Sequence, residues 1–367
     1  MGRSAVESIA VVEPSERRAK KVSASSTAPA VNSRVTLLFV ITSSPPKTRV
    51  EVRVATVAYH RDRRNSCVVR LTSRDSGAVR APCWNCSSTG EWLKISTLIG
   101  VHDQPIGVFD SGFGGLTVAR ALIDLLPNEN LVYFGDTDRY PYGPRTLDQV
   151  RGFARQIAQW LVDEVGVKAI VIACNTASAA ALEELQAECP VPVIGVIEPG
   201  VRSAIDATTQ GRVGVIGTVT TIASGAYQQA FASVDPTVDL ICAACPGFVE
   251  FVERGDTASD QALVLAERLL APVVDAKVDS LLLGCTHYPF LARTISRVMG
   301  RDVTLVSSAD ETAFAVRRAI LDGTIPGRMP RGNAGHRWVS SGNSSRFQQI
   351  GEQLLGIELA GVEPHSW

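Results

Sequence analysis

The chain has 367 residues, of which 45% are hydrophobic and 20% are charged, and its formal net charge is −1. This length is enough for two domains of ordinary size with hydrophobic cores. Its eight cysteines do not form the dense framework of a disulfide-rich secreted mini-domain, which favours a reducing cytosol and a cytoplasmic protein.

The first hundred residues differ in composition from the rest. They contain 16 Lys and Arg against 7 Asp and Glu, whereas the remaining residues contain 20 against 30. The longest apolar run, VTLLFVIT, is too short to span a bilayer, and no cleavage site of a signal peptide follows it. Patches such as VSASSTAPAVNS have no sustained periodicity. We therefore expect residues 1–103 to be a basic extension that is mostly disordered, mis-assigned or dispensable.

A C-x₂-C pair, Cys83 and Cys86 in CWNC, lies within this extension. Such a pair holds zinc only with two further ligands, and no second pair follows at a suitable spacing. The sequence therefore predicts no metal site.

From residue 105 the chain alternates between predicted strands and predicted helices. The strands are short apolar runs bounded by Gly, Pro, Asp, Ser or Thr: PIGVFD, LVYFGD, KAIVIAC, VPVIGV, RVGVIGT, VDLICA, DSLLLGC and DVTLVS. Longer segments with helical spacing lie between them, among them LTVARALIDLL, LDQVRGFARQIAQWLVDEV and QALVLAERLLAPVV. This alternation predicts an α/β fold with parallel sheets, whose ligands bind at the carboxyl ends of the strands.

Two halves of this alternation resemble one another. PIGVFDSG matches RVGVIGTV, and VKAIVIACNTAS matches VDSLLLGCTHYP. The cysteines Cys174 and Cys285 are 111 residues apart, while Asp110 and Thr218, which end the other two strands, are 108 apart. The shared offset predicts two similar lobes, each with a mostly parallel sheet flanked by helices, and an active site in the cleft between them.

Cys174 and Cys285 each end a predicted strand among side chains that form hydrogen bonds. A buried cysteine often serves only to pack the hydrophobic core. We assign this role to Cys189 and Cys242, and Cys245 is a further candidate for it. For the repeated pair, a structural disulfide is rare in a reducing cytosol, and zinc would require a fourth ligand and closer spacing. Proton transfer by two thiols is the third possibility, with Asp110, Glu253 and His287 as candidates for adjusting their protonation.

Two further loops are candidates for ligand binding. DSGFGGL, at 110–116, opens a helix, and its glycines allow backbone N–H groups to converge on a phosphate or a carboxylate. The loop lacks the G-x-G-x-x-G pattern of a dinucleotide site and the lysine of a P-loop. RYPYGPR, at 139–145, is either a second site loop or a Pro-Gly turn with tyrosine packed on the surface.

Taken in order, DSGFGGLTV, GDTDRYPYGPR, IACNTASA, GVIEPG, GVIGT, CPGFVEFVERG and LLLGCTHYP resemble the glutamate racemases of bacterial cell-wall synthesis. The resemblance covers about residues 104–363, and CNTAS with GCTHYP at this separation is highly specific. It implies a first lobe of residues 104–200 and 308–367 and a second lobe of residues 201–307. It also implies interconversion of L- and D-glutamate without a cofactor, which would supply D-glutamate for peptidoglycan.

The resemblance implies a role for each matching residue. Cys174 would act on D-glutamate and Cys285 on L-glutamate, with Asp110 near the first thiol and Glu253 and His287 near the second. Glu250 lies one turn before Glu253 and is an alternative to it. Substrate contacts would come from Asp110, Ser111, Tyr142, Gly143, Asn175, Thr176, Thr218, Thr221, Thr286 and His287. No lysine lies in these loops, and Arg139 and Arg145 are their only arginines, so we expect neutral groups to bind the carboxylates.

Other activities fit the sequence less well. An aspartate racemase would have two cysteines within other motifs, and a decarboxylase of the same superfamily would lack one cysteine. A two-lobed ligand sensor needs no thiol at either strand end. A cysteine phosphatase would need an arginine shortly after the nucleophile. The resemblance further raises a homodimer and binding to DNA gyrase as hypotheses, and nothing in the sequence indicates a membrane protein.

Overall fold

The computed structural model describes residues 102–328, 334–355, 359 and 361–367, together with five strands among the first 100 residues. Contacts divide the chain into two compact units, Met1–Thr89 and Gly90–Trp367. In the first unit, β1 (Val6–Ser8) pairs with β2 (Ser23–Ser25), and β3 (Arg34–Ile41), β4 (Glu51–Arg61) and β5 (Cys67–Thr72) form an antiparallel sheet. The sequence did not predict these strands.

Whether residues 1–103 are dispensable or mis-assigned is untested and stays a prediction. The CWNC pair lies outside the described residues.

Two parallel sheets form the second unit. The first has the order β15-β14-β7-β6-β8-β9, and its strands are β6 (Ile106–Asp110), β7 (Leu131–Gly135), β8 (Ala169–Ile172), β9 (Val193–Gly195), β14 (His336–Ser340) and β15 (Glu363–Pro364). The second has the order β11-β10-β12-β13, and its strands are β10 (Arg212–Gly217), β11 (Asp239–Ala244), β12 (Ser280–Gly284) and β13 (Thr304–Ser307). All eight strands expected from the apolar runs are present.

Helices connect the strands and cover the sheets. They are α1 (Leu116–Leu125), α2 (Leu147–Trp160), α3 (Asn175–Glu188), α4 (Ile197–Ala207), α5 (Val219–Ala223), α6 (Ala226–Val234), α7 (Phe248–Glu253), α8 (Asp260–Asp275), α9 (Ala292–Met299), α10 (Ser308–Leu321) and α11 (Ser344–Leu355). A π-helical turn (Leu161–Val165) extends α2, and a 3₁₀ turn (Tyr288–Leu291) precedes α9. Among the described residues, no helix is both long enough and apolar enough to cross a membrane.

Each sheet is buried on both faces, as parallel sheets require. In β6, Ile106 and Val108 pack into one hydrophobic cluster while Phe109 packs into another on the opposite face. In β12, Leu281 and Leu283 face one cluster and Leu282 faces another. This two-sided burial explains why the strands appear in the sequence as continuous apolar runs rather than as alternating ones.

The register of the central strands brings the predicted site residues to one edge of each sheet. In the first sheet β6 pairs with β8, so Asp110 and Cys174 emerge at the carboxyl ends of neighbouring strands. In the second sheet Gly217 of β10 pairs with Gly284 of β12, so Thr218 and Cys285 emerge side by side. The predicted similarity of the two lobes is confirmed. Their boundaries at residues 200 and 308 stay a prediction.

Candidate active site

A small cavity lies where the carboxyl ends of the two sheets meet. Its walls contain Ser111, Tyr140, Pro141, Tyr142, Gly143, Cys174, Asn175, Thr176, Thr218, Val249, Cys285, Thr286 and His287. Its volume of about 20 Å³ has room for about one water molecule. A ligand of amino-acid size therefore enters only if the walls move apart. Three further predicted residues, Asp110, Thr221 and Glu253, do not line the cavity but contact the lining residues Ser111, Thr176 and His287 respectively.

Cys174 lies at the junction between β8 and α3, where it is the N-cap residue of the helix. Its Sγ accepts a hydrogen bond of 3.4 Å from the N–H of Ala177, and the residue is only 5% exposed. Burial raises the pKa of the Cys174 thiol, and the nearby carboxylate of Asp110 raises it further, whereas the Ala177 N–H lowers it. In the closed cavity the protonated thiol is therefore the favoured form.

Asp110 is completely buried at the end of β6. Its Oδ2 accepts a hydrogen bond of 3.1 Å from Gly112 N–H, and further N–H groups of the same glycine-rich loop stabilise the carboxylate. Burial raises the pKa of Asp110, although the charge of His287 and these N–H groups oppose the rise. From the sequence this loop is a candidate for binding a ligand anion, and that stays a prediction. In the structure its N–H groups converge on the carboxylate of Asp110.

Cys285 follows β12 and has a different partner. Its Sγ lies 4.0 Å from Nδ1 of His287, and Nε2 of that ring lies 3.7 Å from Oε1 of Glu253, an ion-pair distance. Glu250 is exposed to solvent, so of the two glutamates considered from the sequence it is Glu253 that reaches the histidine. Burial lowers the pKa of His287, but Cys285, Glu253 and Asp110 outweigh it and raise this pKa to about 10.

Neutral hydroxyl and amide groups occupy the wall between the two thiols. The Oγ1 atoms of Thr176, Thr218 and Thr221 form a triangle with sides of 2.8–3.1 Å, and Thr176 belongs to the first lobe while the other two belong to the second. Asn175 donates a hydrogen bond of 2.8 Å to the hydroxyl of Tyr227. Among the residues that the structure describes, no arginine or lysine lines the cavity. This is the arrangement that carboxylate binding by neutral donors requires.

The RYPYGPR loop forms another wall of the cavity. Tyr142 is fully buried and donates a hydrogen bond to Asp136, so the alternative that tyrosine packs on the surface is wrong for this residue. Asp136 also accepts hydrogen bonds from Arg139 (2.7 Å), Ser341 (2.8 Å) and the indole of Trp367 (3.1 Å). Asp136 thus fixes the loop to the first lobe, a role that nothing in the sequence indicates beyond a charge at the end of a strand.

Gly143 lies in the same loop and contacts the second lobe. A Cβ atom at this position would lie 3.0 Å from Cβ of Thr218, so the close approach of the loop to that threonine favours glycine.

Sequence reasoning missed three lining residues, Tyr140, Pro141 and Val249. Val249 lies beside the predicted Glu250 in α7, and the two tyrosine-loop residues lie beside the predicted Tyr142. The signal that could have identified these three residues is their position in the sequence next to predicted site residues. Cys189, Cys242 and Cys245 are free thiols that pack in hydrophobic clusters, in agreement with the packing role expected from the sequence.

Comparison with known proteins identifies the family of the chain. A family model described as Asp/Glu/Hydantoin racemase matches residues 106–316. A glutamate racemase from Acidothermus cellulolyticus is 50% identical over 262 residues, a match that covers 71% of this chain and 99% of that protein. The chain belongs to the glutamate racemase family. A glutamate racemase from Mycobacterium tuberculosis is also 50% identical, over 260 residues that cover 71% of this chain and 95% of the relative.

Solved glutamate racemase structures share the fold. A glutamate racemase isoform from Bacillus anthracis superimposes with a TM-score of 0.68 at 40% identity, covering 72% of this chain and 98% of that one. The enzyme from Francisella tularensis in complex with D-glutamate gives a TM-score of 0.67 at 35% identity, with coverage of 72% and 98%. Both the predicted α/β two-lobed fold and the predicted isomerase activity of this racemase are confirmed.

The raised pKa of His287 predicts how the stability of this racemase depends on pH. A group whose pKa rises on folding stabilises the protein fully below its ordinary pKa of 6.5, and this stabilisation disappears as the pH rises through about 10. Wild type should therefore have a larger free energy of unfolding than His287→Asn at low pH. This difference between the two proteins should decrease between about pH 6 and about pH 10. Urea unfolding of both proteins at several pH values measures this, and a difference independent of pH would contradict the assigned charge.

Proposed function

We propose that the enzyme interconverts L- and D-glutamate by a two-thiol mechanism that uses no cofactor. The observation that carries this proposal is the convergence of two buried thiols, one from each lobe, on a single cavity lined by neutral hydrogen-bonding groups. A single base that removes and returns the same proton tends to restore the starting configuration. Two bases on opposite faces of Cα avoid this outcome.

The charged groups around the two thiols differ. The ring of His287, whose pKa is raised, lies 4.0 Å from Sγ of Cys285, whereas burial and Asp110 favour the thiol at Cys174. In the L-to-D direction, the Cys285 thiolate takes the Cα proton and becomes a thiol. Cys174 then gives its proton to the opposite face of the carbanion and becomes a thiolate.

The D-to-L direction starts from the opposite protonation state. Cys174 must first lose its proton, and Asp110 is the neighbouring group able to accept it, because burial raises the pKa of this carboxyl. The positive α-ammonium of the substrate would further favour the thiolate beside it. Asp110 thus serves Cys174. Glu253 and His287 together serve Cys285.

The donors of the cavity would stabilise the charge that develops on the substrate. Removal of the Cα proton delocalises negative charge onto the α-carboxylate, so hydrogen-bond donors near its oxygens lower the barrier. Ser111, Thr176, Thr218 and Thr286 provide hydroxyl groups on the cavity wall, and Asn175 provides an amide. Hydroxyl groups can turn to serve either enantiomer because each both donates and accepts.

Proton exchange observed by NMR tests this function directly. In D₂O, wild type should remove the Cα proton of L-glutamate and of D-glutamate and convert each into the deuterated opposite enantiomer. L- and D-aspartate serve as the matched control, since one methylene distinguishes them from glutamate. Inversion of aspartate but not of glutamate would show that aspartate is the substrate and would leave the proposed mechanism unchanged. No exchange with either amino acid would refute the proposal.

We further propose that the enzyme supplies D-glutamate for peptidoglycan and acts in the cytoplasm, where both thiols stay reduced. Expression in a bacterial strain that requires D-glutamate should restore growth without it, and Cys174→Ala should not. That the enzyme forms a homodimer and that it binds DNA gyrase stay predictions. If gyrase activity is unchanged in a mixture with the full chain, the prediction that the chain binds gyrase and inhibits it is wrong.

A further inference from the structure

Three buried polar atoms without a hydrogen-bond partner in the described residues belong to the half of the site around Cys285. They are the hydroxyl oxygen of Tyr140, Oε1 of Glu253 and Nε2 of His287. The last two atoms lie 3.7 Å apart. Buried polar atoms almost always have a partner, so an unpartnered group of this kind requires an explanation.

The ring of Tyr140 is held against this cluster from two sides. Its centroid lies 6.1 Å from that of the His287 imidazole and 6.1 Å from that of Phe113, which meets it edge-on. A Cβ atom on Gly112 would lie 2.7 Å from Cδ2 of this ring, so the glycine leaves room for it. The hydroxyl of Tyr140 therefore has a fixed direction, and the ring lines the cavity beside Cys285.

We propose that Tyr140 is a positioning residue for the Cys285 half of the reaction: when substrate binds, its hydroxyl donates to Glu253, whose Oε1 is likewise without a partner in the described structure, and thereby holds the charged pair that Glu253 forms with His287. This role rests on the two-thiol mechanism proposed above. The hydroxyl touches neither reacting proton. It acts through Glu253 on His287, and through His287 on the thiolate of Cys285.

The chemistry of the three groups supports this order of action. Burial raises the pKa of Tyr140 well above its ordinary value, and the carboxylate of Glu253 raises it further, so the hydroxyl remains a donor. Donation to a carboxylate stabilises its charged form, and a charged carboxylate stabilises an imidazolium at 3.7 Å. In the opposite half of the site, the carboxylate of Asp110 raises the pKa of Cys174 directly.

Packing alone is the competing explanation for Tyr140, and Tyr140→Phe separates the two. Phenylalanine keeps the ring against His287 and Phe113 and removes only the hydroxyl. Tyr288→Phe is the matched control, because Tyr288 is also buried near Cys285 but donates its hydrogen bond of 3.0 Å to the carbonyl of Cys245. A lost structural hydroxyl should lower the midpoint of thermal unfolding and leave the balance between the two thiols unchanged.

The discriminating measurement is the primary deuterium isotope effect in each direction. Because the equilibrium constant is fixed, kcat/KM must fall equally for both enantiomers, by about 10-fold for a hydrogen bond to a charged group. With Cα-deuterated L-glutamate, removal of the deuteron by Cys285 becomes more rate-limiting, so the isotope effect rises. With Cα-deuterated D-glutamate the slow step delivers a solvent proton, so the isotope effect falls.

A double-mutant cycle with Glu253→Gln adds an independent test. If Tyr140 acts through Glu253, the double variant should be no slower than Glu253→Gln alone. Isotope effects that match wild type in Tyr140→Phe, or that change alike in both directions, would overturn the inference while leaving the racemase mechanism intact. Failure of wild type to invert glutamate would instead refute the mechanism itself.

Discussion

Replacing either Cys174 or Cys285 by alanine should lower the rate of racemisation by about 10³-fold or more, because in the proposed mechanism each thiol serves as general acid or base on its own face of Cα. Proton exchange should then separate from inversion. Cys174→Ala keeps the base for L-glutamate, so any residual loss of the Cα proton in D₂O should be confined to L-glutamate and should occur without inversion. Cys285→Ala should show the same behaviour with D-glutamate alone.

The control for this pair is Cys242→Ala. Cys242 packs against the hydrophobic core of the second lobe and does not line the cavity. Its replacement should reduce stability slightly and leave racemisation intact. Inversion that survives in either of the first two variants would show that the remaining thiol, or water, can serve both faces of the substrate.

Replacing Gly114 by alanine should lower kcat/KM by about 100-fold, a loss typical of a displacement of about 1 Å in a catalytic group. A Cβ atom at this position would lie 2.3 Å from Oγ1 of Thr286 and 2.5 Å from Nδ1 of His287. Gly114 belongs to the first lobe and both neighbours belong to the second. The added methyl group therefore pushes apart the surfaces that must meet when the cavity closes, and it moves His287 away from Cys285.

Gly152→Ala is the matched control for this substitution. Gly152 is exposed in the middle of α2, and a Cβ atom there meets nothing within 4 Å. Alanine should stabilise this helix slightly because glycine disfavours it, and kcat/KM should not change. Steady-state kinetics with both enantiomers and thermal unfolding of both variants test the pair. Equal activity in the two variants would show that contact between the lobes at Gly114 is unimportant.

Much of the fold was predictable from the sequence because parallel strands buried on both faces produce continuous apolar runs. Two elements of the second unit show where this signal fails. The strand His336–Ser340 has only three buried residues, and it begins with His336 and Arg337, so it lacks such a run. The helix Ile197–Ala207 contains Pro199 and Gly200, which argue against a helix. The proline is tolerated in the first turn, and the glycine allows close approach to Ser308.

The site was predictable where its residues follow a strand. Asp110, Cys174, Thr218 and Cys285 all occupy such positions, and the repeat between the halves of the chain marked them. Tyr140 was not identified, because its contact with His287 joins residues 147 positions apart and depends on how the two lobes meet. Local patterns show which edge of a sheet a residue reaches, but they do not show which side chains meet across a cleft.

The size of the closed cavity makes the two thiols reporters of its opening. Cys174 and Cys285 are only 5% and 7% exposed around a volume of about 20 Å³, which is too small for an alkylating reagent such as iodoacetamide. Alkylation must therefore wait until the lobes separate. Its rate is the fraction of open molecules multiplied by the intrinsic reactivity of the thiol. The two thiols proposed to carry out the chemistry would thus also report how often the enzyme admits molecules from solution.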